Sequence, residues 1–214
     1  MKKIFLITFC ITAITGAYAQ KTSLGFSAGS SISNFKAKSD AGSETADSKV
    51  GLMLSITTNI TAGNNFIIQP GINWVQKGTK SKETFFGITE KTTLNTNYIE
   101  LPLNFLYSNN GFVIDAGPTF SFGVSGKVKY DDGTNKTSEN IKFGSGTDDH
   151  LKRFDMGATL LTGYHFKNGL FMHFNYNLGM SNLFVSKENN ASVKTRYAGV
   201  RIGYLLKGKA NKNL

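Results

Sequence analysis

The chain has 214 residues, 24 Lys and Arg against 14 Asp and Glu, and one cysteine. That length is one domain's worth, and Cys10 lies in a leading segment expected to be removed, which leaves no disulfide, thiolate nucleophile or Cys-ligated metal. The basic excess of +10 argues poorly for nucleic acid in a secreted chain and better for cationic loops near anionic lipid headgroups.

Met1-Lys2-Lys3 is a basic start, residues 4–14 are an apolar stretch too short to cross a membrane as a helix, and Ala17-Tyr18-Ala19 supplies a small–x–small cleavage pattern. The expectation is a Sec-type signal peptide over residues 1–19 and a single domain over 20–214. Loss of Lys2 and Lys3 lowers the excess to +8. No apolar run of 18 residues follows, so no further helix is expected to cross a membrane.

The first expected strand, residues 22–35, is rich in Ser and Gly. After a polar segment (36–49), Val50, Leu52, Leu54, Ile56 and Ile60 alternate with Gly51, Ser55, Thr57 and Asn59. Beyond a short Ala62-Gly63-Asn64-Asn65 turn, Phe66, Ile68, Pro70, Ile72 and Trp74 oppose Gln69, Gly71, Asn73 and Lys77. A second polar segment (78–93) leads to Ile99, Leu101, Leu103, Phe105 and Tyr107, which oppose Tyr98, Glu100, Pro102 and Asn104. Ser108-Asn109-Asn110-Gly111 turns the chain into its longest alternation. There Phe112, Ile114, Ala116, Pro118, Phe120, Phe122, Val124, Gly126, Val128 and Tyr130 face away from Asp115, Gly117, Thr119, Ser121, Gly123, Ser125, Lys127 and Lys129. A third polar segment (131–150) precedes the alternation of 153–166, a Lys167-Asn168-Gly169 turn, that of 170–181, a segment at 186–192, and the closing strand of 197–206.

A period of two means a strand with one apolar and one polar face. Globular strands run about 5–6 residues, whereas a tilted strand crossing a bilayer needs about 9–11. Eight such strands, with Asn/Gly turns alternating with long polar connections, are expected to form an all-β, closed, antiparallel, eight-stranded transmembrane β-barrel in up-and-down order. Both termini then lie on the periplasmic side. Aromatic residues at strand ends, Phe66, Tyr107, Phe112, Tyr164 and Phe166 by the short turns and Trp74, Tyr130 and Phe154 by the long connections, fit two interfacial girdles. Pro102 and Pro118 oppose this picture, since each removes a ladder donor mid-strand; a bulge or a local lapse in pairing is required.

The polar face carries Glu100, Asp115, Arg153, Asp155, His173 and Arg201. Eight strands leave an interior just wide enough to be filled by side chains, so these charges are expected as a lumenal network holding a plugged barrel together. A nucleophile with a base in reach is the competing reading: Ser121, Ser125 or Ser181 with His150, His165 or His173 and Glu100 or Asp155 as orienter. Polar filling produces such trios by chance, and no catalytic, cofactor or metal site is expected. Asp131-Asp132-Gly133 and Asp148-Asp149-His150 bracket one long connection but lack EF-hand spacing. Lys77, Lys80, Lys82, Lys91, Lys136 and Lys142 make the connections basic, which suits either solubility or contact with anionic lipopolysaccharide.

Three segments, residues 68–78 (IQPGINWVQKG), 97–105 (NYIELPLNF) and 115–127 (DAGPTFSFGVSGK), resemble the outer-membrane β-barrel family common in Bacteroidota and often labelled PorT-like. The resemblance implies that Pro102 and Pro118 are ordinary in such chains. It also implies that a carboxylate usual after the third-strand Pro is replaced here by Gly71. Some relatives are linked to protein secretion. The expected role is therefore structural, secretion-accessory or surface-interacting, without a large pore and without enzymatic activity. Expected partners are outer-membrane lipid and lipopolysaccharide, the barrel-assembly machinery during insertion, and a protein met through the outer loops. The alternatives are a lipid-modifying barrel enzyme using His173 and Glu100, and a soluble lipocalin-like carrier, which would need the strand faces reversed.

Overall fold

The computed structural model describes residues 22–39, 42–85, 88–146, 149–185 and 191–207. The expected signal peptide, residues 208–214 and Asp148 lie outside the described residues. One antiparallel sheet accounts for the fold: β1 (Thr22–Ser39), β2 (Gly42–Thr45), β3 (Asp47–Thr61), β4 (Phe66–Phe85), β5 (Ile88–Asn109), β6 (Phe112–Asp131), β7 (Lys136–Asn140), β8 (Phe154–His165), β9 (Leu170–Gly179) and β10 (Ser192–Lys207). Each long strand pairs with the next in sequence, and β1 pairs with β10 from Ser23↔Lys207 to Lys38↔Ser192. The sheet therefore closes into a ring. The short β2 and β7 are additions to β1 and β6 within segments read from sequence as polar connections.

Burial follows the period of two. β8 reads exposed–buried through Phe154 to Leu161, and β9 does so from Leu170 to Leu178. Among the described residues 33 large apolar side chains are exposed outside the ring, while Gln69, Asn73, Glu100, Asn104, Asp115, Thr119, Asp155 and Asn177 are buried within it. This is the reverse of what a soluble carrier needs. The aromatic rows Phe66–Tyr107 and Tyr164–Phe166 mark one edge of the apolar wall, and near the other Phe154 stacks on Phe120 and meets Phe122 at a tilt. Phe112 and Phe122 lie ten positions apart in β6, a band about 25 Å tall at ~3.3 Å per residue and a strand tilt of about 40°.

At the near end the turns are tight. Asn109 pairs with Phe112 across Asn110 (φ 49°) and Gly111 (φ +88°), two consecutive left-handed residues of the kind that match the twist of a two-residue hairpin. At the far end the sequence reading needs correction. Residues 78–93 are not a loop: β4 and β5 stay paired from Phe66↔Tyr107 to Phe85↔Ile88.

The prolines are accommodated by lapses in pairing rather than by bulges. The β4–β5 ladder skips from Pro70↔Leu103 to Asn73↔Glu100, and the β5–β6 ladder from Pro102↔Thr119 to Phe105↔Ala116. A bulge does occur, but higher up. Asn97 pairs with Ser125 and Tyr98 with Gly123, so Val124 is an extra residue. Val124 and Ser125 are consecutively exposed, and beyond them the faces of β6 exchange. Gly126 and Val128 turn inward, opposite Thr96 and Leu94. Lys127 and Lys129, expected at the rim of the polar face, point outward; Tyr130, expected in the outer girdle, sits on the inner face.

Gly123 marks where the ring is closed off above, because a Cβ there would collide with the Phe143 ring. Gly123→Ala is expected to expel Phe143 and cost about 1–3 kcal/mol. Faster protease cleavage in 141–152 together with an unchanged strand signal in circular dichroism would show it; wild-type cleavage rates would contradict the placement.

Candidate functional site

The interior is layered, and each layer follows from which residues the register brings to one height. Ser55, Asn73, Glu100, Ser121 and Asp155 lie in one row across β3, β4, β5, β6 and β8. Lys77, read from sequence both on the polar face of its strand and among the lysines that make the connections basic, belongs to this layer: it is buried and its Nζ lies 2.9 Å from Glu100 Oε1. Ser121 Oγ donates to Glu100 Oε1 at 3.1 Å, and Tyr197 Oη donates to Oε2 at 2.6 Å. The Lys77 ammonium also sits 4.7 Å from the centre of the Tyr98 ring and 5.2 Å from that of Tyr197. Charge pairing, hydrogen bonds and two aromatic faces together offset the desolvation of this pair. Lys77 was legible in the odd-numbered series Gln69, Gly71, Asn73 and Val75 that precedes it.

The six charged residues expected to form one network do not do so. Glu100 holds Lys77. Asp155 accepts Thr195 Oγ1 at 2.9 Å and the Ser181 amide at 3.3 Å. Asp115 accepts Asn104 Nδ2 at 3.3 Å, and Arg201 Nη1 donates to Ser55 Oγ at 3.1 Å. His173 faces His165, Nε2 to Nε2 at 2.8 Å, and its ring lies tilted against Phe171 at the near end, centroids 4.5 Å apart. Arg153 is misplaced by the sequence reading: it is exposed at the far mouth, donating Nη2 to the Phe143 carbonyl at 3.0 Å.

These positions separate the hydrolytic trio considered from sequence. Ser121 pairs with Asp155 and His173 with Gly163, eight positions apart on β8, about 26 Å of strand. His150 is in the far connection, where its Nδ1 accepts the Lys142 amide. Among the described residues no three His, Asp or Glu gather as a metal site. Asp131 and Asp132 are occupied in a turn, accepting the amides of Gly133 and of Thr134 and Asn135 respectively.

Above the ion-pair layer the filling becomes apolar, which polar connections did not announce. Phe35, Tyr98, Phe143, Leu151 and Leu183 form a buried cluster, with Leu94, Ile141 and Val193 packed against it. Tyr98 and Phe143 meet edge to face at 5.8 Å. The connecting backbone is satisfied as it descends: Leu183 N donates to Val193 O, and Lys152 N to Leu183 O, each at 2.8 Å. The far mouth thus carries a hydrophobic stopper resting on a buried ion pair.

Lys77→Met strands the Glu100 carboxylate and is expected to cost about 3–5 kcal/mol in urea unfolding. Lys77→Met with Glu100→Gln keeps an acceptor for Tyr197 and Ser121 without the charge, and should recover at least half of that loss; no recovery would contradict the pairing. Outside the ring, Asp131 is held below the usual carboxylate range, first by the Gly133 amide and then by Lys136, whose Nζ is 3.1 Å away. A lowered carboxylate stabilises the turn above its unfolded pKa, about 3.9, and ceases to as pH falls through the folded value. Amide protection factors in 131–136 should therefore be constant from neutrality down to the ordinary Asp range and fall only below it; loosening already near pH 6 would be inconsistent.

A family description, outer membrane protein beta-barrel domain, matches residues 18–185. Among solved structures the chain is similar to Ail, the attachment invasion locus protein of Yersinia pestis, at 12% identity and TM-score 0.47 over 87% of this chain and 99% of that one. It is similar also to neisserial surface protein A (NspA), at 11% and 0.42 over 84% and 96%. The outer membrane protease OmpT from Escherichia coli matches at 10% and 0.40 over 87% and 97%. None of these likenesses is close enough to speak for a role, and no curated protein matches. The closed antiparallel ring with its apolar exterior, and the family match over most of its length, make this chain a member of the outer membrane beta-barrel domain family.

Proposed function

We propose that the protein is an integral, eight-stranded outer-membrane barrel whose lumen is sealed and whose work is done at the far, outward-facing mouth, as a surface-interaction protein rather than an enzyme or a pore. The observation that carries this reading is the stopper. Phe35, Tyr98, Phe143, Leu151 and Leu183 fill the mouth, and the Lys77–Glu100 pair fills the layer beneath. The apolar band of about 25 Å matches the lipid-facing height of outer-membrane barrels. We further place the chain with the PorT-like branch on the 68–78, 97–105 and 115–127 segments; the family membership stands without that placement.

A sealed barrel leaves its outer structure as the part that can meet anything. β7 is exposed along its whole length, Lys136 to Asn140, and β4 and β5 project as a paired ribbon well past the aromatic rows. Photo-crosslinkers at Thr137 and Glu139 in intact cells should capture one reproducible partner. Planar-bilayer recordings should show no conductance for the wild type. Steady ion flux through the purified protein, or the absence of any reproducible adduct from either position, would reject this reading.

A further inference from the structure

The bulge at Val124 rearranges charge on the outer wall. Above the row Trp74, Ile99, Phe122 and Phe154, the wall first presents Gln76, Asn97 and Ser125, with Asn97 Nδ2 donating to Ser125 Oγ at 2.9 Å. The next row pairs Gly78, Asn95 and Lys127, and the Lys49 side chain lies across Gly78. The row after that is Asp47, Lys80, Thr93 and Lys129. Lys80, Lys127 and Lys129 are exposed, and none of these lysines has an ion-pair partner among the described residues. Burial, followed by the positive charges of Lys80 and Lys129, pulls the Lys49 pKa down; Asp47, opposite Lys80, is the one carboxylate in these rows.

The same height is basic on the opposite side of the ring. Past the exposed pair Ile32↔Ala198, the β1–β10 ladder continues with Asn34↔Arg196 and Lys36↔Lys194. Arg196 donates Nε to Asn34 Oδ1 at 2.8 Å, and Lys194 is exposed. Cationic side chains thus stand above the apolar band on β10, β1, β3, β4 and β6, and the lysines of β6 join them only because one extra residue exchanges that strand's faces.

We infer that this collar binds the phosphate groups of the outer-leaflet glycolipid that surrounds the barrel. The geometry favours a lipid over a protein or a free anion. Charge spread over the outer faces of five long strands matches lipid headgroups packed side by side along the wall, and these walls present a convex surface rather than a cavity that would enclose a small anion. From Ile99 to Asn95 is four positions, about 13 Å along the strand and ~10 Å in height at a tilt of about 40°, a depth that flexible lysine stems reach from above. Each lysine near an anionic membrane surface adds to retention in a roughly additive way. The inference rests on the barrel reading above and names one partner of its outer wall.

The test uses the purified full chain in detergent, with bound lipid counted by native mass spectrometry. Diphosphorylated lipid A should be retained and the same lipid stripped of its phosphates should not. Lys80→Gln/Lys127→Gln/Lys129→Gln should weaken retention by about tenfold or more, whereas Lys82→Gln/Lys91→Gln, two positions farther from the membrane, should leave it near wild type. Equal retention of the two lipids by the wild-type protein overturns the proposal without recourse to any variant. So does equal retention of lipid A by the triple variant, an equal loss in the distal variant, or binding of soluble inositol hexakisphosphate as tight as that of lipid A. Resistance of the wild type to carbonate extraction reports separately on the barrel: its loss would sink that reading, while resistance with no phosphate preference would sink only the collar.

Discussion

Closure of β1 onto β10 is the constraint on which everything else depends. In hydrocarbon a backbone amide has no water to turn to, so a spanning sheet cannot afford an edge. Sixteen consecutive paired positions between the first and last strands remove that edge. Once the ring is closed, every strand has an inside and an outside, and a period of two in sequence becomes a partition between lumen and surroundings. The exposed Phe, Leu and Ile residues and the buried Asn, Gln and Glu residues are two consequences of the same closure.

A narrow ring must then be filled, and its filling cannot be uniformly apolar when half of each strand is polar. The protein solves this in layers: an imidazole and phenyl stack at the near end, hydrogen-bonded amides and hydroxyls in the middle, one ion pair between two tyrosines, and an aliphatic and aromatic stopper above. The stopper depends on backbone that folds back from a polar segment, and on Gly123 leaving room for Phe143. The stopper is therefore as much a product of the far connections as of the strands.

Departures from regular alternation matter more than the alternation itself. Pro70, Pro102 and Pro118 fall beside short lapses in the ladders, where missing donors cost little. One inserted residue at Val124 has wider effect, since it converts two lysines from lumenal neighbours of the stopper into members of an outward-facing collar. A slip of one residue exchanges faces in any strand; here the exchange begins where the apolar band ends, so the membrane-facing part is untouched.

The strand pattern, the tight Asn/Gly turns and the inward placement of Glu100, Asp115, Asp155, His173 and Arg201 were legible in the sequence because each depends on local periodicity. Arg153 and Tyr130 were assigned to the wrong surroundings, and Lys77 was counted with the connections as well as with the polar face, for one reason: each lies where a strand continues past, begins beyond or changes phase relative to the pattern that was read. Periodicity gives alternation without origin or interruption; it says that neighbours face opposite ways but not where a bulge resets the count. Which buried charges meet, and whether a polar connection folds back to close the mouth, depends on residues far apart in the chain being brought to one height. By itself the sequence determined a ring of long two-faced strands with a polar interior, because strand geometry makes that a local matter. Only the tertiary structure decided that Lys77 pairs with Glu100, that Phe143 stops the mouth and that Lys127 and Lys129 face out, because register between strands is a non-local choice.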